Sequence, residues 1–159
     1  MSISNEIFID SSVLVEYRKG NQLPFLDAML ADNRFLLCIS QAVTSEYLFH
    51  HLAIAAGKSP LAINMAGNIA QMLQTRDPLS FLRLFRWLPD DASMLPSSVE
   101  LMAKYNLLPN DALILAACRL HHIPALASFD PDFMAPCQSE GIRLLQTPAD
   151  FVLFKASFQ

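Results

Sequence analysis

Four carboxylates in this chain stand where a carboxylate can do chemistry. Asp10 closes the apolar run Glu6-Ile7-Phe8-Ile9, and Asp130 follows the apolar stretch Ile123 to Ser128. Asp111 lies in the first turn of a helical stretch opened by Pro109-Asn110, and Glu46 lies about two turns into another. Each has a structural use when read singly. Asp10 can cap the helix begun by Ser11-Ser12, Asp111 suits the positive end of a helix dipole, and Asp130-Pro131-Asp132 has the chemistry of a tight turn. Glu46 has the weakest structural reason, because it sits between Val43 and Tyr47 in the apolar setting QAVTSEYLFHHL. Brought together, such carboxylates would repel and raise one another's pKa unless cations held them. Their hard oxygens suit Mg²⁺ or Mn²⁺, and the sequence has no Cys/His spacing of a zinc site. Once metallated, an acid cluster of this kind can activate a water and stabilise the leaving oxygen of a phosphodiester.

The elements that must position these acids read as alternating strands and helices. Strands are expected at Glu6 to Ile9, Phe35 to Ile39, Ile123 to Ser128 and Ile142 to Leu145, with a brief one around Phe85 to Leu88. Helices are expected from Ser11, over Leu23 to Ala31, from Ser40 to a stop near Gly57, from Pro60 to about Thr75, from Ser97 or Ser98 to Tyr105, and from an Asn110 cap. In the Pro60 helix, Ile63, Ala66, Ile69, Ala70 and Leu73 share one face. The final residues, Asp150 to Phe158 with Gln159, are apolar enough to dock on the body or on a partner. Alternation without hairpin turns points to an α/β domain around a parallel sheet. Residues just after different parallel strands collect along one edge, so the four acids can converge.

Composition narrows the class. The chain of 159 residues is long enough for one domain with a real core, and 53% of it is hydrophobic against 16% charged. That apolar surplus is compatible with surface covered by a partner or a second copy. No apolar run reaches the length of a membrane helix, and MSISNEIFID has neither the basic nor the apolar region of a secretory signal. Cys38, Cys118 and Cys137 are odd in number and lack CxxC spacing, as expected of reduced thiols in a cytoplasmic protein. A net charge of −4 argues against holding nucleic acid through overall charge. A local patch or bound metal would have to do it.

The blocks IFIDSSVLVEY, ISQAVTSEYL and LPNDALILAACRLHHIPALASFDPDF resemble, in order and spacing, the motif blocks of the PIN domain family. Within that family the chain is similar to the VapC-type toxins of bacterial toxin–antitoxin systems. The resemblance runs from residue 7 to about residue 133, and the fold it implies extends to about residue 147. It implies a PIN-like three-layer α/β/α sandwich with a central, mainly parallel sheet of about 4–5 strands. It also implies that Asp10, Glu46, Asp111 and Asp130 form a Mg²⁺ or Mn²⁺ site, with Asp132 a more variable ligand position. Ser11 and Ser128 fall on small polar positions that support the cluster. The implied activity is that of a metal-dependent endoribonuclease held inactive by a cognate antitoxin and commonly dimeric. Residues 57–96 are a helical insertion-like segment, longer than compact members of the family carry.

Other groups are less specific. Arg76, Arg83 and Arg86 are candidate RNA-phosphate contacts or a solvated face, with Arg83 and Arg86 expected on one helix face. His50-His51 and His121-His122 are adjacent pairs, which point to different sides of a helix and do not make a ligand set. There is neither a GxxxxGK[ST] nor a GxGxxG nucleotide loop. A non-catalytic PIN-like module that binds RNA or protein is the alternative from another class. A haloacid-dehalogenase-type phosphatase would need an acid where Ser12 stands.

Overall fold

Ile7, Phe8 and Ile9 have no exposed surface. Successive strand residues point to opposite faces, so a run with all three buried requires cover on both sides of the sheet. That single fact makes the domain three-layered. The computed structural model describes residues 4–158, so Gln159 of the expected terminal dock lies outside the described residues.

The chain begins with strand β1 (Glu6–Ile9), helices α1 (Ser11–Arg18) and α2 (Leu23–Ala31), β2 (Leu36–Ile39) and the long α3 (Gln41–Ala56). Short helices α4 (Pro60–Met65), α5 (Ile69–Thr75) and α6 (Leu79–Leu82) lead to β3 (Arg86–Trp87), followed by α7 (Met94–Tyr105) and α8 (Pro109–Leu120). Then come β4 (Ala125–Ala127), a 3₁₀ turn (Pro131–Phe133), α9 (Met134–Glu140), β5 (Arg143–Leu145) and α10 (Pro148–Ala156). All pairings are parallel, in the order β3-β2-β1-β4-β5. From β1 the chain builds outward through β2 and β3, then returns to the other side of β1 with β4 and β5. The switch point of a parallel sheet leaves a crevice beyond the carboxyl ends of its two strands. Here those strands are β1 and β4, and Asp10 and Ser128 are the residues that leave them.

The helix that carries Asp111 is anchored along its whole length. Ala112, Ile114, Leu115, Ala116, Ala117 and Cys118 are buried, and at its far end Arg119 Nε donates to Glu140 of α9 at 2.6 Å. The terminal helix docks on the body, as its composition predicts: Phe151 and Phe154 pack on Phe35 with ring centroids 5.4 and 5.7 Å away.

Four expectations are corrected. The stretch from Pro60 to Thr75 is two helices, because Gly67 takes φ +69, a left-handed turn open to glycine that ends α4. Its expected face is mostly unburied, with Ile63 alone in the buried class. α7 begins at Met94, before Pro96; a proline in a first turn costs nothing, since its missing N–H would have no helical partner. Asn110 does not cap α8: Pro109 occupies the first helical position and Asn110 turns to Glu46. Arg83 and Arg86 do not share a helix face, since α6 stops at Leu82 and Arg86 is already in β3.

Candidate active site

Asp10 is the fixed point of the site. It leaves β1 with an extended backbone and caps α1, so its carboxylate faces the first helical N–H groups. Oδ1 accepts from Ser11 N at 2.7 Å, with Ser11 Oγ at 3.4 Å. Oδ2 accepts from Ser12 Oγ at 2.6 Å and from Ser128 Oγ at 2.7 Å, with Ser12 N at 3.4 Å. The two hydroxyls are themselves aimed by the next loop: Phe129 N donates to Ser12 Oγ and Asp130 N to Ser128 Oγ, both at 3.0 Å. The capping role and the convergent role of Asp10 are therefore one geometry. Ser128 has no exposed surface, so it cannot exchange this bond for water. Ser128→Ala should leave Asp10 free to reorient and lower any activity of the site by about 10–100-fold, the usual cost of losing a group that orients a ligand. Activity measured beside a thermal melt separates that loss from unfolding.

The other acids arrive from three directions. Glu46 projects from α3, Asp111 from the first turn of α8, and Asp130 caps the 3₁₀ turn after β4, accepting from Asp132 N at 2.9 Å. Asp10, Glu46, Asp111 and Asp130 all line one cavity of ≈ 530 Å³. Ser11, Ser12, Glu16, His50 and Phe129 also contribute to its wall. Asn110 Nδ2 reaches Glu46 Oε2 at 3.5 Å, a long contact that leaves the carboxylate free to turn.

Among the described residues, no Lys or Arg lines this cavity. Burial first, then the charges of Asp130, Asp10, Glu46 and Asp132, push the Asp111 carboxyl up to about 6. Among the described residues no three Asp, Glu, His or Cys side chains are drawn close enough to hold a metal ion as they stand. The donor set nevertheless fits a hard divalent cation: it is all oxygen, no described Lys or Arg lines the cavity to offset its charge, and one member is locked while Glu46 can swing. Asp10, Glu46, Asp111 and Asp130 are the residues that could hold such an ion.

The remaining expected residues fall elsewhere. Asp132 is exposed and does not line the cavity; its backbone N–H holds the turn through Asp130. Arg76 ends α5, and its carbonyl lies 2.8 Å from His51 Nε2. Arg83 borders a separate apolar groove with Leu48, Leu79 and Trp87. Arg86 pairs with Glu6 at the start of β1, the end of the strand away from Asp10. None of the three arginines lines the acidic cavity. Two participants escaped the sequence reading, Ser12 and His50. Ser12 stood beside Asp10 in plain view, and His50 lies four residues after Glu46, which is one helix face.

The profile of the PIN domain family matches residues 7–137. The chain is 34% identical to Ribonuclease VapC6 of Methanocaldococcus jannaschii over 143 residues, covering 84% of this chain and 93% of the relative. It is 30% identical to Ribonuclease VapC2 of the same organism over 130 residues, covering 81% and 87%. Its fold is similar to a chain of a toxin–antitoxin complex from Klebsiella pneumoniae, with TM-score 0.55 and 22% identity over 88% of this chain and 96% of that one. The strand that ends in Asp10, the acid-bearing helices and the Asp130 turn all lie inside the matched residues, and the chain belongs to the PIN domain family, as a relative of its VapC ribonucleases.

Proposed function

We propose that this protein is a Mg²⁺- or Mn²⁺-dependent endoribonuclease and the toxin of a toxin–antitoxin pair. One observation carries the reading: Asp10, Glu46, Asp111 and Asp130, from four distant parts of the chain, line a single cavity that no described Lys or Arg side chain enters. In this reading those four carboxylates hold the metal, Ser11, Ser12 and Ser128 fix Asp10, and Asp132 shapes the turn. Such an ion would supply a water that loses its proton readily enough to serve as nucleophile, and would offset charge on the phosphate. Asp10, held in its hydroxyl clasp, would fix the place of the ion, and Glu46 of α3 and Asp111 of α8 would supply further oxygen ligands. RNA as substrate follows the ribonucleases to which the chain is related.

A cognate antitoxin and a second copy of the chain are the proposed protein partners. The complex from Klebsiella pneumoniae supports the first. Apolar side chains left open between α4 and β3 support a covered surface: Met65 is 81% exposed, Leu61 66% and Trp87 51%. No helix among the described residues is long and apolar enough to cross a membrane. Cytoplasmic action is proposed with the RNA substrate, and the three buried, unpaired cysteines agree with it.

The open spacing of the acids favours one competing reading, a non-catalytic PIN-like module that binds RNA or protein. Calorimetric titration with Mn²⁺ separates the two. Saturable uptake by wild type, lost in Asp10→Asn, is expected; a folded protein that takes up no metal would favour the non-catalytic module.

A further inference from the structure

Among the described residues lining the carboxylate cavity, His50 is the one that can carry positive charge; the charged others are Asp10, Glu16, Glu46, Asp111 and Asp130. Glu16 is already offset by Lys19, 2.8 Å away, and takes a second hydrogen bond from Asn21 at 2.9 Å. The adjacent histidines of α3 have opposite fates. His51 is 3% exposed and tied at 2.8 Å to the Arg76 carbonyl, so it serves the packing of α3 against the end of α5. His50 is exposed and stands edge-on to Phe49, with its ring at the cavity wall. It lies one turn beyond Glu46, about 6 Å along the helix, and residues four apart share a face.

An RNA strand is a row of phosphates, and a cavity walled by carboxylates repels every one of them that a metal does not cover. A metal held by Asp10, Glu46, Asp111 and Asp130 would cover the scissile phosphate. The next phosphate along the strand needs a donor from the protein, and His50, one helical turn beyond Glu46 on the same cavity wall, is placed to supply it. We infer that His50 is a substrate-binding residue whose imidazole donates a hydrogen bond to a non-bridging oxygen of the RNA phosphate beside the scissile one. This rests on the nuclease reading above. It assigns His50 no part in holding metal, since hard oxygen ligands are already gathered for that.

The test uses the full chain as wild type, His50→Ala and His50→Lys. Binding of a fluorescent single-stranded RNA is read by anisotropy, cleavage in Mn²⁺ by steady-state rates, and metal uptake by calorimetry. His50→Ala should raise both the RNA Kd and KM about tenfold, the worth of one hydrogen bond to a charged group. Its kcat should stay within about threefold and its Mn²⁺ affinity unchanged, because the reacting atoms keep their ligands. His50→Lys, which supplies an N–H donor at the same place, should recover most of the lost affinity. The inference is overturned by an unchanged Kd in His50→Ala, by His50→Lys binding as weakly as His50→Ala, or by lost Mn²⁺ uptake, which would make His50 a metal ligand. If wild type binds RNA and cuts none, the nuclease reading fails and the anisotropy comparison still decides His50. If wild type cuts RNA and His50→Ala is indistinguishable from it, His50 alone is removed.

Discussion

Asp111→Asn is expected to make the metal-free protein more stable and its RNA cleavage undetectable. The Asp111 carboxyl is pushed up to about 6 in the fold, against an ordinary value of 3.8. Between those values the folded state holds a proton that the unfolded state has released, so stability falls as pH rises from about 4 to about 6. Above that range Asp111 is ionised in both states, and the fold carries the whole penalty of a carboxylate among carboxylates. For a fully shielded group a shift of this size would be worth about 3 kcal/mol. Asp111 is only half-buried, so solvent screening leaves on the order of 1 kcal/mol. Asparagine keeps the shape and removes the charge, and at pH 7 in EDTA its Tm should rise by about 2–4 °C. At pH 4 the two proteins should melt together. Added Mn²⁺ should reverse the order, since an ion that binds only the folded state stabilises whichever chain binds it. A lower Tm for Asp111→Asn in EDTA at pH 7 would mean that the carboxylates do not strain one another.

Asp10→Asn should lower cleavage by more than about 100-fold, beyond what loss of a supporting group costs. The fold should survive. Asparagine is as good a helix cap as aspartate, and its amide oxygen can still accept from Ser11 N. Its NH₂ group would face the hydroxyls of Ser12 and Ser128, which rotate to accept from it. The stability cost is about 1–3 kcal/mol, that of weakening hydrogen bonds to a charge. Circular dichroism with a thermal melt, run beside the cleavage assay, checks both halves. An Asp10→Asn protein that cuts RNA at the wild-type rate would remove Asp10 from the site.

What the sequence made legible depended on how local each cause was. Strand β1 and its terminal acid were readable because three successive apolar residues in a parallel sheet leave no choice of face. The convergence of the acids was readable because a shared strand direction alone puts Asp10 and Asp130 at one edge. The break at Gly67 was missed because the apolar spacing from Ile63 to Leu73 continues through it, and helical spacing says nothing of backbone handedness. The start of α7 was missed because Pro96 reads as a barrier when it sits harmlessly in a first turn. The arginines were grouped by sequence distance, whereas the turn after α6 sends Arg83 to a groove and Arg86 to Glu6. Ser12 and Ser128 illustrate the same limit: Ser128 reaches Asp10 across 118 positions and Ser12 across 116, and only its place in the family's motif block made Ser128 legible.

The central claim, that this acidic cavity cuts RNA only with a divalent ion, meets its most direct test in a single assay. Purified full-length protein, free of any antitoxin, is incubated with RNA in Mn²⁺, in EDTA, and in EDTA followed by excess Mn²⁺, with Asp10→Asn in parallel. Cleavage should occur in Mn²⁺, stop in EDTA, return with the ion, and stay more than about 100-fold lower in Asp10→Asn throughout. Cleavage that persists in EDTA, or that Asp10→Asn retains at the wild-type rate, would contradict it.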